Sequence, residues 1–202
     1  MLLNPAMARR WAGLPLLALT PLLPGLASAL PPAAAEVCVI APRTETDRSG
    51  RALARVPLSR PTIFVREPLA RIRVLRGSTV LWERQSGPGG AIEGPIAWPL
   101  PPLAPGDDLR LLLQPVDSGP TSFAEIRLRP ADGATLRQTD GTLRSLRADP
   151  GAWRSAVEQA VGRGDGALAA ALLFAFEGPS DPTLDRLRLE AYQRSCQQEP
   201  PL

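Results

Sequence analysis

The chain of 202 residues contains neither histidine nor lysine. That removes most nucleophilic chemistry before any fold is considered. A serine or cysteine nucleophile needs a neighbouring base to take its proton. Without histidine there is no Ser-His-Asp triad and no Cys-His dyad. Without lysine there is no Ser-Lys dyad, no Schiff base and no phosphate-loop lysine. Histidine-ligated zinc is excluded, and two cysteines are too few for a four-sulfur site. No catalytic residue, cofactor or metal is expected. Carboxylate chemistry is left, as in the paired acids of a glycosidase. This makes a carboxylate-dependent enzyme acting on envelope glycans the alternative to a non-enzymatic protein.

The two cysteines offer oxidative chemistry instead. Cys38 and Cys196 stand near the two ends of the chain, and an even count in an exported protein predicts their pairing. Such a bond closes a loop of more than 150 residues. The chain-entropy model assigns a loop of that scale roughly 4–5 kcal/mol, and engineered bonds often deliver less. Two free thiols or an intermolecular bond are the alternatives.

Export is read from residues 1–35. Arg9 and Arg10 form a basic start, Trp11 to Leu26 is apolar, and small residues follow. Ala27-Ser28-Ala29 and Ala33-Ala34-Ala35 both offer the small-x-small pattern of signal cleavage. Pro15, Pro21 and Pro24 interrupt the apolar stretch, which is shorter than the roughly 20 residues of a membrane span. A retained anchor and a twin-arginine signal at Arg9-Arg10 are the other readings. Glu36 and Val37 before Cys38 do not resemble a lipoprotein motif. The expected location is periplasmic or secreted, with membrane attachment only if the signal is not cleaved.

Cleavage after Ala35 leaves 167 of the 202 residues, enough for one domain with a core. It lowers the formal charge from +3 to +1, because only Arg9 and Arg10 are charged in the leader. Nucleic-acid binders cluster their cations to neutralise phosphates. Here arginine alternates with acids along the chain. The expected partners are an envelope protein or a glycan, and no nucleic acid. The bias toward Arg, Ala, Pro and Gly fits a GC-rich coding genome.

Residues 36–130 have a β texture. Val37 to Ile40 and Pro61 to Val65 are short apolar runs. Arg71 to Val74, the turn Arg76-Gly77-Ser78, and Thr79 to Arg84 predict a hairpin. Ile72, Val74, Val80 and Trp82 are expected on its buried face, with Arg71, Arg73 and Glu83 outside and able to pair across strands. Ser86 to Gly90 reads as a mobile loop. The proline-rich stretch Gly94 to Pro105 runs into Leu109 to Leu113, a central strand by its apolar run. A proline-rich recognition ligand is the other reading of that stretch. Ser122 to Arg129 alternates, with Ala124, Ile126 and Leu128 inward. These strands predict an antiparallel sandwich.

The sequence from Arg60-Pro61-Thr62-Ile63 through Val80-Leu81-Trp82-Glu83, Leu103-Ala104-Pro105-Gly106 and Phe123 to Leu128 resembles the fibronectin-type-III or immunoglobulin-like sandwiches of bacterial envelope proteins. The resemblance covers roughly residues 57–130, and the core cysteines of antibody domains are absent from it. The chain is also similar to exported bacterial proteins that follow such a sandwich with helices. The resemblance implies a fold and carries no functional residue.

Residues 131–148 read as a linker with short turns at Asp132-Gly133 and Asp140-Gly141; a calcium loop would need more oxygen ligands than these acids supply. Residues 149–197 read as a three-helix element. Asp149-Pro150 and Asp181-Pro182 are helix starts, Asp165 caps the middle helix, and Gly178-Pro179 stops it. The apolar second helix must be covered around most of its circumference. A helical cap on the sandwich is the plainer reading, and a partner-binding groove the functional one. The expected whole is α+β: an antiparallel immunoglobulin-like β-sandwich with a C-terminal three-helix element. Trp82 and Leu111 belong inside the sandwich, Trp153 and Leu172 at its junction with the helices. The candidate recognition surface is the loop pair Ser86 to Gly90 and Asp117 to Pro120.

Overall fold

A computed structural model describes residues 36–195. Residues 1–35, read as an export signal, and Cys196 lie outside the described residues. Among the described residues eight strands precede four helices: β1 (Val39–Ala41), β2 (Thr44–Thr46), β3 (Ala52–Val56), β4 (Phe64–Val65), β5 (Leu69–Arg76), β6 (Thr79–Gln85), β7 (Leu109–Pro115), β8 (Ala124–Pro130), α1 (Gly133–Leu146), α2 (Pro150–Gly162), α3 (Gly166–Ala175) and α4 (Pro182–Arg194).

Six strands form one sheet in the order β2-β3-β8-β7-β5-β6, and β1 pairs with β4 in a separate ribbon. The sheet is mixed, which corrects the expectation of a purely antiparallel one: β3 runs parallel to β8, pairing Ala54 with Leu128. Ala52-Leu53-Ala54-Arg55-Val56 is poor in β-branched and aromatic residues, so composition hides this strand. Burial forms it nonetheless, because Ala54 and Val56 are fully enclosed.

The apolar run Leu109 to Leu113 is central, between β8 and β5. Leu111 stands opposite Val74 and Ile126, and Leu113 opposite Ile72 and Ala124. Leu111 is fully buried, as expected, while Trp82 is half-buried against the same core. Val80 departs from expectation at 45% exposed. The β5–β6 register shifts after Val74, so that Trp82 opposes Val74 but Val80 opposes Leu75. One extra residue in β6 breaks the period-2 alternation and turns Val80 off the core face.

The same core takes in residues from outside the sheet: Val39, Ile63, Val65, Ile92, Ile96, Trp98 and Leu103. The proline-rich stretch is thus a wall of the core. Trp98 donates its indole N–H to Pro101 O at 2.9 Å, satisfying the one polar group of a buried ring. Ala104 to Asp107 forms a turn, with Asp107 N–H on Ala104 O at 3.1 Å and Gly106 at φ +83°. Glycine supplies that positive φ without steric cost.

The segment expected as linker contains the helix α1. Asp132 starts it by accepting from the N–H groups of Ala134 and Thr135, both at 2.9 Å. Asp140-Gly141 is interior to that helix rather than a turn. Among the described residues four helices therefore follow the sheet, not three. Glycine and threonine lower the helix propensity of this stretch, and buried Leu136, Thr139 and Leu146 offset that. The other starts match the sequence: Asp149, Asp165 and Asp181 cap α2, α3 and α4.

The helices build a second core from Leu146, Trp153, Val157, Leu172, Phe174, Phe176 and Leu184, together with Ile40 and Ala41 of β1. Trp153 and Leu172 lie in this cluster, which contains no described residue of the six-stranded sheet. The β1–β4 ribbon stands between the two cores. Val39 and Val65 belong to the sheet's core, while Ile40 and Phe64 pack with the helices. Alternation sends Val39 and Ile40 of β1, and Phe64 and Val65 of β4, to opposite sides.

Candidate binding surfaces

Three surfaces arise from these elements. The first is the predicted loop pair. β6 ends and β7 ends on either side of the start of β5: Arg71 faces Gln85 on one flank and Gln114 on the other. Ser86 to Gly90 and Asp117 to Pro120 therefore leave from the same end of the sheet. The second loop is tied down by Gln114, whose amide donates to Gly119 O at 2.8 Å, and by Ser118 Oγ, which donates to Pro115 O at 2.8 Å.

The second surface is the outer face of the sheet, a ladder of paired charges. Arg73 and Arg71 reach Glu83 at 2.9 and 3.5 Å, as the cross-strand expectation had it. Arg110 meets Glu125 at 3.1 Å. Arg127 grips Asp108 with two nitrogens, Nε to Oδ1 at 2.6 Å. A groove of about 510 Å³ lies here, lined among others by Asp108, Arg110, Phe123, Glu125 and Arg127. Each of its acids is neutralised by its own guanidinium. The hydrogen bond from Arg127 holds the Asp108 carboxyl below its ordinary range. A glycosidase general acid needs the opposite shift, so Asp108 is unsuited to that role.

The third surface was not foreseen from the sequence. A groove of about 490 Å³ runs between Thr62, Phe64, Pro95 and Ala97 on one side and Phe174, Phe176, Leu189 and Tyr192 on the other. Phe64 touches Phe174 with ring centroids 5.1 Å apart and Tyr192 at 6.2 Å. Arg66 lies over the Tyr192 ring, 5.3 Å from its centroid. Leu189 is 55% exposed. Two charged residues line the groove, and they differ. Arg188 is consumed: its Nε donates to Leu173 O at 2.9 Å, a terminal nitrogen donates to Phe176 O, Asp185 lies at 3.5 Å, and the group stacks on Phe176 at 5.5 Å. Glu177 is exposed and has no hydrogen bond or ion pair among the described residues. The only sequence signal for this site was the aromatic content of α3 and α4. Phe64 comes from a strand more than 100 residues earlier, so its arrival is tertiary.

Cys38 is half-buried beside the helical core, and its N–H donates to Glu67 Oε2 at 2.8 Å. The residues next to the two cysteines, Val39 and Ser195, line one groove of about 600 Å³. Among the described residues no group of three or more Cys, Asp or Glu could hold a metal ion, and no helix is long and apolar enough to cross a membrane. The carboxylate of Asp132, short of the neighbouring oxygen ligands that a calcium loop needs, is spent on capping α1. Compared with protein-family models, curated proteins and solved structures, the chain matches none.

Proposed function

We propose that the chain is an exported, non-enzymatic binding module of the bacterial cell envelope. In this reading an immunoglobulin-like sandwich carries a C-terminal helical element, and Cys38–Cys196 ties the two ends together. The supporting observation is the groove between β4 and the helices α3 and α4. Its lining includes four aromatic rings, Phe64, Phe174, Phe176 and Tyr192, and is contributed by two different parts of the fold. Ligand sites are typically concave, apolar and edged by a few polar groups. The groove has that character, whereas the outer sheet face has its charges already paired. The basic start and small-residue sites of residues 1–35 support export, and the position of Val39 and Ser195 on one groove supports the disulfide.

Two measurements test this. Intact mass of the protein from its native host should show loss of 29 or 35 residues; recovery of the full-length chain from the cytosol would sink export. A photo-cross-linking amino acid at position 189, in the exported chain, should give a discrete envelope adduct. Tyr192→Ala should abolish that adduct. A folded, exported chain with no adduct overturns the binding reading at this groove.

A further inference from the structure

We infer that the outer face of the six-stranded sheet is a docking surface for an acidic polysaccharide, a glycan strand carrying carboxylates, with Arg55 and Arg129 among its anchors. The ion pairs on this face leave a remainder. Arg55, Arg71, Arg73, Arg110, Arg127 and Arg129 alternate with the core-facing residues of their strands and point outward. Among the described residues four carboxylates meet them: Glu45 on Arg55, Glu83 on both Arg71 and Arg73, Glu125 on Arg110, and Asp108 on Arg127. Six guanidiniums against four carboxylates leave a surplus of two positive charges. Arg129 is exposed and has no hydrogen bond or ion pair among the described residues.

The register makes this surplus costly. Arg110 stands directly opposite Arg127 in the antiparallel β7–β8 pair, and Arg55 beside Arg129 in the parallel β3–β8 pair. Like charges placed opposite one another on a sheet face destabilise it. Two such pairs gather four guanidiniums across β3, β8 and β7, on strands about 4.8 Å apart. An anion that engages both members of a pair removes their repulsion.

Carboxylate is the group this face already binds. Arg127 holds Asp108 through Nε and a terminal nitrogen, and Arg73 holds Glu83 in the same way. The planar guanidinium fork matches a carboxylate with two parallel hydrogen bonds. Shape then selects a polymer. The groove of about 510 Å³ on this face follows the strands: Phe123 lies just before β8 and Asp108 just before the antiparallel β7, so the two mark its ends. The paired stretch between them, Ala124 to Leu128, spans roughly 15 Å at strand rise. Arg110 and Arg127 line it with side chains only 35% exposed, recessed where a narrow strand reaches them and a flat bilayer makes poor contact. Arg73 stacks over Phe123 at 5.3 Å, which fixes a further cation beside one end.

The test uses the full chain and dye-labelled oligogalacturonate, with neutral maltodextrin of the same length, a DNA duplex and phosphatidylethanolamine–phosphatidylglycerol vesicles beside it. In fluorescence polarisation oligogalacturonate should bind, maltodextrin should not, and added salt should weaken the binding. Arg129→Gln should weaken it about threefold, as the loss of one exposed ion pair allows. Arg129 is exposed and unpaired, so its replacement leaves the core intact. Glu45→Gln releases Arg55 and should strengthen binding about twofold. Arg163→Gln, at the end of α2, changes the net charge as Arg129→Gln does and should leave binding unchanged. Equal losses from Arg129→Gln and Arg163→Gln would reduce the effect to net charge and overturn the site. Equal binding of maltodextrin overturns the role of the arginines. Absence of oligogalacturonate binding overturns the glycan class, and binding of the duplex or of vesicles in its place names the ligand class instead. The position-189 adduct should persist in Arg129→Gln, so this surface and the aromatic groove stand or fall separately.

Discussion

Asp47 shows how much a single exposed side chain can organise. It closes the turn between β2 and β3 by accepting from Ser49 Oγ at 2.5 Å, Ser49 N–H at 2.8 Å and Arg51 N–H at 3.0 Å. The Ser49 hydroxyl above all, then the Arg51 N–H, lowers its carboxyl from 3.8 to about 2. The fold favours the ionised form, so the contribution is complete above the ordinary carboxylate range and is lost as pH falls from 3.8 through about 2. A carboxyl-carbon NMR titration should find that midpoint, and Ser49→Ala should raise it. An ordinary midpoint in the unaltered chain would contradict the geometry. Gly178 is a second such residue. The sequence suggests a helix stop, but α3 ends earlier, at Ala175. Its glycine is required by close approach: an added Cβ would overlap the Phe176 ring and sit 3.3 Å from Ala148 O. That ring is buried against Trp153 at 5.4 Å, so it has little room to yield. Gly178→Ala should cost about 1–3 kcal/mol in urea unfolding, as overpacking does.

At the scale of elements, the helix starts are the most local feature and were the most legible. Asp149-Pro150 and Asp181-Pro182 each place a carboxylate where the first N–H groups are unsatisfied and a proline where none is needed. Asp181 accepts from Thr183 and Leu184 at 3.1 and 3.0 Å, and Arg154 of α2 approaches it at 3.7 Å. Asp181→Ala should cost about 0.5–2 kcal/mol, and Asp181→Asn less, because the cap survives. Equal losses would assign the effect to the ion pair with Arg154 instead. Two elements were illegible for opposite reasons. β3 is poor in strand-forming residues and exists because Ala54 and Val56 face the core. α1 begins with a capping aspartate that, followed by glycine, also reads as a turn.

Across the whole molecule, the question is whether sheet and helices unfold together. They have separate cores, but the β1–β4 ribbon feeds both, Val39 and Val65 entering the sheet's and Ile40, Ala41 and Phe64 the helices', and residues 36–195 fall within one compact unit. Trp153 is buried, stacks near Phe176 and donates its indole N–H to Arg147 O at 2.8 Å. Trp153→Ala should therefore cost about 3–5 kcal/mol and shift a single calorimetric transition. Two transitions, with only one shifted, would make the helices an independent module. Cys196→Ser tests the proposed end-to-end bond. The melting temperature should fall in the oxidised protein, and reduction of the unaltered chain should lower it equally. No difference between the two oxidised forms would exclude a stabilising bond.

The sequence alone determined the features that depend on neighbours in the chain. Aspartate caps, the β5–β6 hairpin and its charge pairs, the central apolar strand and the loss of histidine and lysine chemistry follow from residue type and local spacing. Only the tertiary structure decided the parallel β3–β8 pairing, the exposure of Val80, the division into two cores and the aromatic groove. Each of these depends on which distant segments meet. Phe64 and Tyr192 carry no mark of one another, and a register shift of one residue changes which face a side chain occupies. Local patterns specify the elements; burial of their apolar faces against one another selects the partners, and that selection creates the groove.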